Sequence, residues 1–398
     1  MSSKRKITDL AHFGGSLEFE RPLHVAHAGT SQQKRFFELL EKVFSSKQFT
    51  NDGPVVRELE RRIAERLEVK HCIAVCNGTV GLQLAAKALG MQGEVIVPSF
   101  TFIATAHALK WLDIRPVFCD IDPLTHAIHP ESVTRALTRK TGGIIGVHLW
   151  GKACNVGALT EIARDRGLPL MFDAAHAFGS SSEGVMVGNF GDAEVFSFHA
   201  TKLFHTFEGG AIVTNNNDLA ERLALLRNYG FIDYDRVVGL GINAKMNEVC
   251  AAMGVAGLET LDRTIEMNRE RLECYAVKLA DIPGIRLSQP PVNGSNCQYI
   301  VAEIHGDECA LSRDQVVALL WSENVLARRY FYPGCHRMEP YRSRLGIEPL
   351  SLRNTEDVCD RVLVLPTGES VDARAVEKIC ELIGFIMNHA TEIAARLG

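Results

Sequence analysis

No block of like charge runs through this chain, and its formal net charge is only −5. A polybasic footprint for nucleic acid is therefore missing, and so is a charged tail or a basic membrane anchor. Long uninterrupted apolar runs are also missing. The most apolar neighbourhood, "EVIVPSFTFIATAHALKWL", is broken by Pro98, Thr101, Thr105, His107 and Lys110. It is not a membrane span. The basic start, "MSSKRKITDLAHFGG", has no apolar segment behind it, so no secretory leader is expected. The 11 cysteines occur singly, without a CxxC pair and in odd number. That pattern predicts reduced thiols, most of them core filler, in a cytoplasmic protein. Internal repeats and low-complexity segments are absent too. "GVHLWGK" (146–152) has the GxxxxGK spacing, but Ala153 stands where a phosphate loop needs Ser or Thr, and bulky apolar residues fill the loop. A nucleoside triphosphatase is excluded on that ground.

What the chain does have is length and apolar content: 398 residues, 46% of them hydrophobic, enough for a large core and more than one domain. Leu59, Ile63 and Leu67 recur at helical spacing after Gly53-Pro54. Then seven short β-rich runs follow, at 71–75, 94–99, 115–121, 142–150, 169–175, 193–199 and 210–215. Most are continuously apolar, as strands buried on both faces are. Helical stretches separate the earlier ones, which predicts an α/β domain with a mostly parallel seven-stranded sheet. The short connection between the last two runs suggests an antiparallel pair. From about residue 255 the character changes to a long charged helix, further strands, and a final helix capped by Asp372 with Val376, Ile379, Ile383 and Ile386 on one face. The expected division is a large domain over 1–255, including an N-terminal arm, and a smaller C-terminal α+β domain over 256–398.

Open parallel sheets bind ligands beyond the carboxyl ends of their strands. Behind the first run, Asn77-Gly78-Thr79 opens a helix and offers amides, close approach and a hydroxyl to a phosphate, although Thr79 also reads as an ordinary N-cap. Behind the second, Phe102 offers a face to a planar ligand, or fills the core. Asp173 ends an apolar strand, where a carboxylate is costly without a partner. His176 follows it. "FSFHATKLFHTFEGG" places Lys202 between His199 and His205. Lysine is no usual metal ligand, and no carboxylate completes a typical site. A buried lysine sheds its charge and becomes a nucleophile toward carbonyls; its other reading is a structural lysine paired with Glu208. A lysine for an aldehyde, a carboxylate for a pyridine nitrogen and a cradle for a phosphate together meet the needs of pyridoxal phosphate.

The motifs "NGTVGLQLA", "PSFTF", "FDAAHAFGS", "FSFHATK", "EGGAIVT" and "ARRYFYPGCHRMEPY", in this order, resemble the DegT/DnrJ/EryC1/StrS family of pyridoxal-phosphate sugar aminotransferases. The resemblance runs from about "QFTNDGPVVRELE" to the C-terminal helix. It implies the fold-type I (aspartate aminotransferase-like) transferase fold and a homodimer with shared active sites. It implies that Lys202 forms the Schiff base and moves the proton, and that Asp173 pairs with the ring nitrogen. It places His176 beside the ring, Phe102 over it, and Gly78, Thr79 and Ser197 around the phosphate. Asn243 and Lys245 reach the partner subunit's phosphate, and Tyr332 and His336 take the nucleotide-sugar side. Dehydratase relatives carry histidine where Lys202 stands, so amino transfer is favoured. The "DAAHA" and "FHATK…EGG" segments resemble enzymes acting at C-4. The implied reaction converts a dTDP-linked 4-keto-6-deoxyglucose to dTDP-4-amino-4,6-dideoxyglucose with L-glutamate as donor, and it serves an antibiotic or a surface polysaccharide. A C-3 keto-sugar or cyclitol aminotransferase and a non-catalytic sensor that binds the cofactor remain as alternatives. No metal, nucleic acid or membrane partner is implied.

Overall fold

A computed structural model describes residues 4–25, 29, 32–288, 293–344 and 352–397. The seven apolar runs form seven strands: β1 (His71–Val75), β2 (Glu94–Pro98), β3 (Arg115–Cys119), β4 (Thr141–Val147), β5 (Leu170–Asp173), β6 (Ala193–Ser197) and β7 (Gly210–Thr214). They lie in one sheet of order β1-β7-β6-β5-β4-β2-β3. All pairings are parallel except those of β7, which runs antiparallel to both β1 and β6. The antiparallel pair expected at the short connection is therefore β6–β7.

Successive residues of a strand face opposite sides of the sheet. On one side Ile73, Val75, Val97, Ile145, Met171, Val195 and Ile212 share a core with the helices Gly78–Ala88, Ala104–Trp111 and Asn217–Arg227. On the other, Ala74, Phe196, Ala211 and Val213 pack under the helices Gln33–Ser46, Pro54–Leu67 and Glu248–Leu258, and Ile96, Ile144 and Phe172 under Pro130–Ala136 and Val156–Arg166. Burial on both faces is why the runs read as continuously apolar. Pro54 opens its helix at the first turn, and Val56, Leu59, Ile63 and Leu67 form its buried stripe.

The long helix Leu261–Leu279 leads to a three-stranded antiparallel sheet of β8 (Ile285–Leu287), β9 (Ile300–Ile304) and β10 (Val362–Leu365). Asp372 caps the helix Ala373–Asn388 by accepting the Ala375 N–H at 2.7 Å, and Val376, Ile379, Ile383 and Ile386 are all buried. The N-terminal arm departs from the expected grouping with the large sheet. Ile7, Leu10 and Leu23 belong to the C-terminal core, Leu23 pairs with Val325, and Lys4 forms a buried ion pair with Glu323 at 2.8 Å. The cause is local chemistry: the Glu323 carboxylate, closed off from water, takes Lys4 and the Ala11 and Glu18 amides. Among the described residues no helix is long and apolar enough to cross a membrane, and all 11 cysteines are free.

Candidate active site

At the carboxyl ends of β1, β5 and β6 lies a cavity of about 790 Å³, bordered by Gly78, Thr79, Phe102, Asp173, His176, Ser197 and Lys202. Seven residues singled out in the sequence thus share one space, because sheet topology gathers strand ends that are far apart in the chain.

Asp173 closes β5 and is buried. Its Oδ2 accepts the Thr105 hydroxyl at 2.7 Å and its Oδ1 accepts the Ala175 N–H at 3.1 Å. Desolvation still dominates these bonds and holds its pKa above the ordinary carboxylate value. A cationic partner there would favour its ionised form. Lys202 sits in the turn after β6, its N–H bound to the His199 carbonyl at 2.8 Å. Burial lowers its pKa from 10.5 to about 8, against the opposing pull of Asp173. Glu208, the partner expected if Lys202 were structural, faces His199 Nε2 at 3.6 Å instead.

His176 is buried in an aromatic box. Its ring centroid lies 4.5 Å from Tyr299, 5.9 Å from Trp150 and 6.0 Å from Phe331. Its Nδ1 is buried without a hydrogen-bond partner, and burial drives its pKa well down, so the ring is neutral. An orphaned buried nitrogen beside a cavity calls for a polar ligand atom.

Asn77, not Thr79, caps the helix Gly78–Ala88: its Oδ1 accepts the Val80 N–H at 2.9 Å. The amides of the first turn lack intrahelical acceptors and carry the positive end of the helix dipole. They open next to the Ser197 hydroxyl. Gly78 is required there, because a Cβ would come 2.9 Å from Ser197 Cβ. Phe102 is more than half exposed and lies over the cavity as a free aromatic face. A cationic partner for Asp173, a polar atom for His176 Nδ1, a phosphate for the helix terminus and a carbonyl for Lys202 are the groups of pyridoxal phosphate, and the residues present fit it.

The remaining sequence candidates lie elsewhere. Lys245 binds the Asn228 side chain at 2.9 Å and lies 4.9 Å over the Tyr229 ring, and Asn243 is exposed; neither borders this chain's cavity. Tyr332 turns outward between Arg313 and Arg329. His336 is held by Ser99 Oγ at 2.6 Å and Glu356 at 3.2 Å. Their neighbours Tyr330 and Phe331 border the cavity in their place, with Tyr299, His107 and Trp111. Sequence reasoning passed over these residues. Thr105, one helical turn beyond Thr101, carried a findable signal: a hydroxyl at the first turn of a helix after a strand end.

His205 leaves the cavity too. It is buried, with Nε2 3.1 Å from the Gly29 carbonyl, and borders a smaller cavity behind Lys202. No cluster of metal ligands exists among the described residues.

The DegT/DnrJ/EryC1/StrS aminotransferase family profile matches residues 30–384. The dTDP-4-amino-4,6-dideoxy-D-glucose transaminase of Shigella dysenteriae is 38% identical over 92% of this chain and 99% of its own length. The GDP-perosamine synthase of Vibrio cholerae is 32% identical over 83% and 90%. The crystal structure of DesI in the presence of its TDP-sugar product superposes with a TM-score of 0.94 at 43% identity, covering 98% of this chain and 99% of DesI.

Proposed function

The chain belongs to the DegT/DnrJ/EryC1/StrS aminotransferase family, and from that premise we propose that it moves an amino group from L-glutamate to a dTDP-linked 4-keto-6-deoxyglucose, giving dTDP-4-amino-4,6-dideoxyglucose. The cofactor is pyridoxal 5′-phosphate, alternating with its pyridoxamine form. The observation that carries the reading is the convergence of Lys202, Asp173 and the unpartnered His176 Nδ1 on one cavity; the likeness to a dTDP-sugar transaminase supports the substrate.

Bound there, the cofactor supplies a carbonyl that takes up amines and a ring that delocalises the electron pair left when a substrate carbon loses a proton. The protein does the rest. Asp173 would hold the ring-nitrogen proton in place, His176 Nδ1 would meet a polar atom of the ring, Phe102 would cover its face, and Gly78, Thr79 and Ser197 would hold the phosphate. Lys202, with a pKa of about 8, is close enough to neutral at physiological pH to accept the proton from the donor's α-carbon and to return it on the way to the sugar amine. Tyr299, Tyr330 and Phe331 wall the substrate side and exclude water.

We assign a homodimer in which Asn243 and Lys245 of one subunit serve the phosphate site of the other. Supporting this, the segment before them exposes Tyr234, Val237, Val238 and Leu240 to solvent in the single chain. A cytoplasmic setting is supported by the free thiols, and the product suits the assembly of an antibiotic or a surface polysaccharide.

The test is optical. Glutamate is expected to bleach the visible band of the purified protein and release 2-oxoglutarate. Nucleotide-linked 3-keto and 4-keto sugars are then added separately, and product NMR locates the amine. Recovery of the band with the 4-keto-6-deoxy sugar supports the assignment. A band unchanged by any donor, or recovery with a 3-keto sugar alone, sinks it.

A further inference from the structure

Behind Lys202 is a second, more enclosed cavity of about 220 Å³ between the turn carrying the lysine, the helix Leu261–Leu279 and residues 367–369. Thr201 and Lys202 border both cavities. Their charges differ. No arginine borders the larger cavity among the described residues, whereas Arg263 and Arg271 both border the smaller one.

Arg271 is buried. It donates Nε–H to the Val371 carbonyl at 2.7 Å and an Nη1–H to Asn268 Oδ1 at 3.1 Å, which commits two of its five donors. Thr367 is 1% exposed, and its Oγ1 has no hydrogen-bond partner among the described residues. Leaving a buried hydroxyl unpaired costs free energy unless a ligand completes it. Leu203, Phe204 and Met267 supply apolar wall to the same cavity. Among the described residues Glu369 is the one carboxylate on the lining, beside the two guanidinium groups of Arg263 and Arg271.

Resting on the aminotransferase reading above, we infer that this cavity seats the distal carboxylate of the amino donor, on Arg271 and Thr367 Oγ1, with the donor's methylenes along the apolar wall. The guanidinium fork matches a carboxylate, the unpaired hydroxyl gains its bond, and the donor's α-carbon is left at Lys202. The keto-sugar bears no carboxylate and does not use this cavity. Glu and 2-oxoglutarate are thereby selected by length and by their second charge.

The experiment uses glutarate, an unreactive dicarboxylate, titrated calorimetrically into the holoenzyme, together with KM values for glutamate and for the keto-sugar measured separately. Thr367→Val keeps the shape and removes only the unpaired hydroxyl, so its melting temperature is expected to match wild type. It is expected to bind glutarate about tenfold more weakly and to raise the glutamate KM about tenfold, the worth of one hydrogen bond to a charged group, with the keto-sugar KM unchanged. Arg271→Lys, checked for its melting temperature, retains the charge but not the fork and is expected to lose glutarate affinity as well. Wild-type affinity for glutarate in Thr367→Val, or a rise in the keto-sugar KM alone, overturns the inference. Failure of the aminotransferase reading shows separately, as a wild-type protein that glutamate does not bleach.

Discussion

The Thr105 hydroxyl donates to Asp173 Oδ2 at 2.7 Å, and Thr105 in turn sits 3.1 Å from the Thr101 hydroxyl. This chain ties the floor of the cavity to the start of the helix Ala104–Trp111. The bond to Thr105 lowers the Asp173 pKa and opposes burial, which raises it.

Thr105→Val removes that opposition. The Asp173 pKa is expected to rise further, so the carboxylate is lost at higher pH than in wild type. The acid limb of the kcat/KM profile then moves to higher pH, and activity at neutral pH falls about tenfold, as for the loss of a hydrogen bond to a charged group. A pH–rate profile whose acid limb stays in place refutes this.

Lys202 is a burden on the cofactor-free fold. Its folded pKa of about 8 lies below the ordinary 10.5, so between those values the unfolded chain holds more protons than the folded one. Stability from this group therefore rises with pH across that window, and the penalty is fully present below pH 8. Lys202→Met is expected to abolish 2-oxoglutarate release and yet melt higher than wild type when both are cofactor-free at pH 7. The gap narrows as the pH is raised toward 10. Melting curves across that range check it; a gap independent of pH assigns the effect to packing instead.

Gly78→Ala puts a methyl group 2.9 Å from Ser197 Cβ. Neither the strand end nor the helix start can yield without widening the phosphate cradle. The variant is expected to keep its fold but to lose cofactor on dialysis, with affinity weakened about tenfold or more, in keeping with the cost of overpacking a tight site. Cofactor content measured after dialysis decides it.

The sheet was legible because both its faces are covered: a strand buried on two sides is apolar at most positions, and the seven runs became seven strands. The Asp372 cap was legible for a similar reason, since a helix start leaves a chemical signature in four residues. Lys202, Asp173 and Gly78 could be grouped because each ends or follows a strand of one sheet. The aromatic wall could not. Tyr299 and Tyr330 arrive from the C-terminal part of the chain, and an aromatic that borders a cavity looks the same in sequence as one that fills a core. His336 is bonded to Ser99 and Glu356, and the residues of its segment that border the cavity are Tyr330 and Phe331. The N-terminal arm escaped for a different reason: its partner Glu323 lies some three hundred positions away, and local patterning carries no trace of so distant an ion pair.

The reversal of β7 has a mechanical consequence. Ser197 and Gly210 are direct partners across β6 and β7, so the span carrying Lys202 begins and ends at paired neighbours inside a seven-stranded sheet. It is slung like a bucket handle from two adjacent rivets. On the proposed reaction, Lys202 carries a proton between two substrate positions, and the turn that bears it is fixed at both ends by one strand pair.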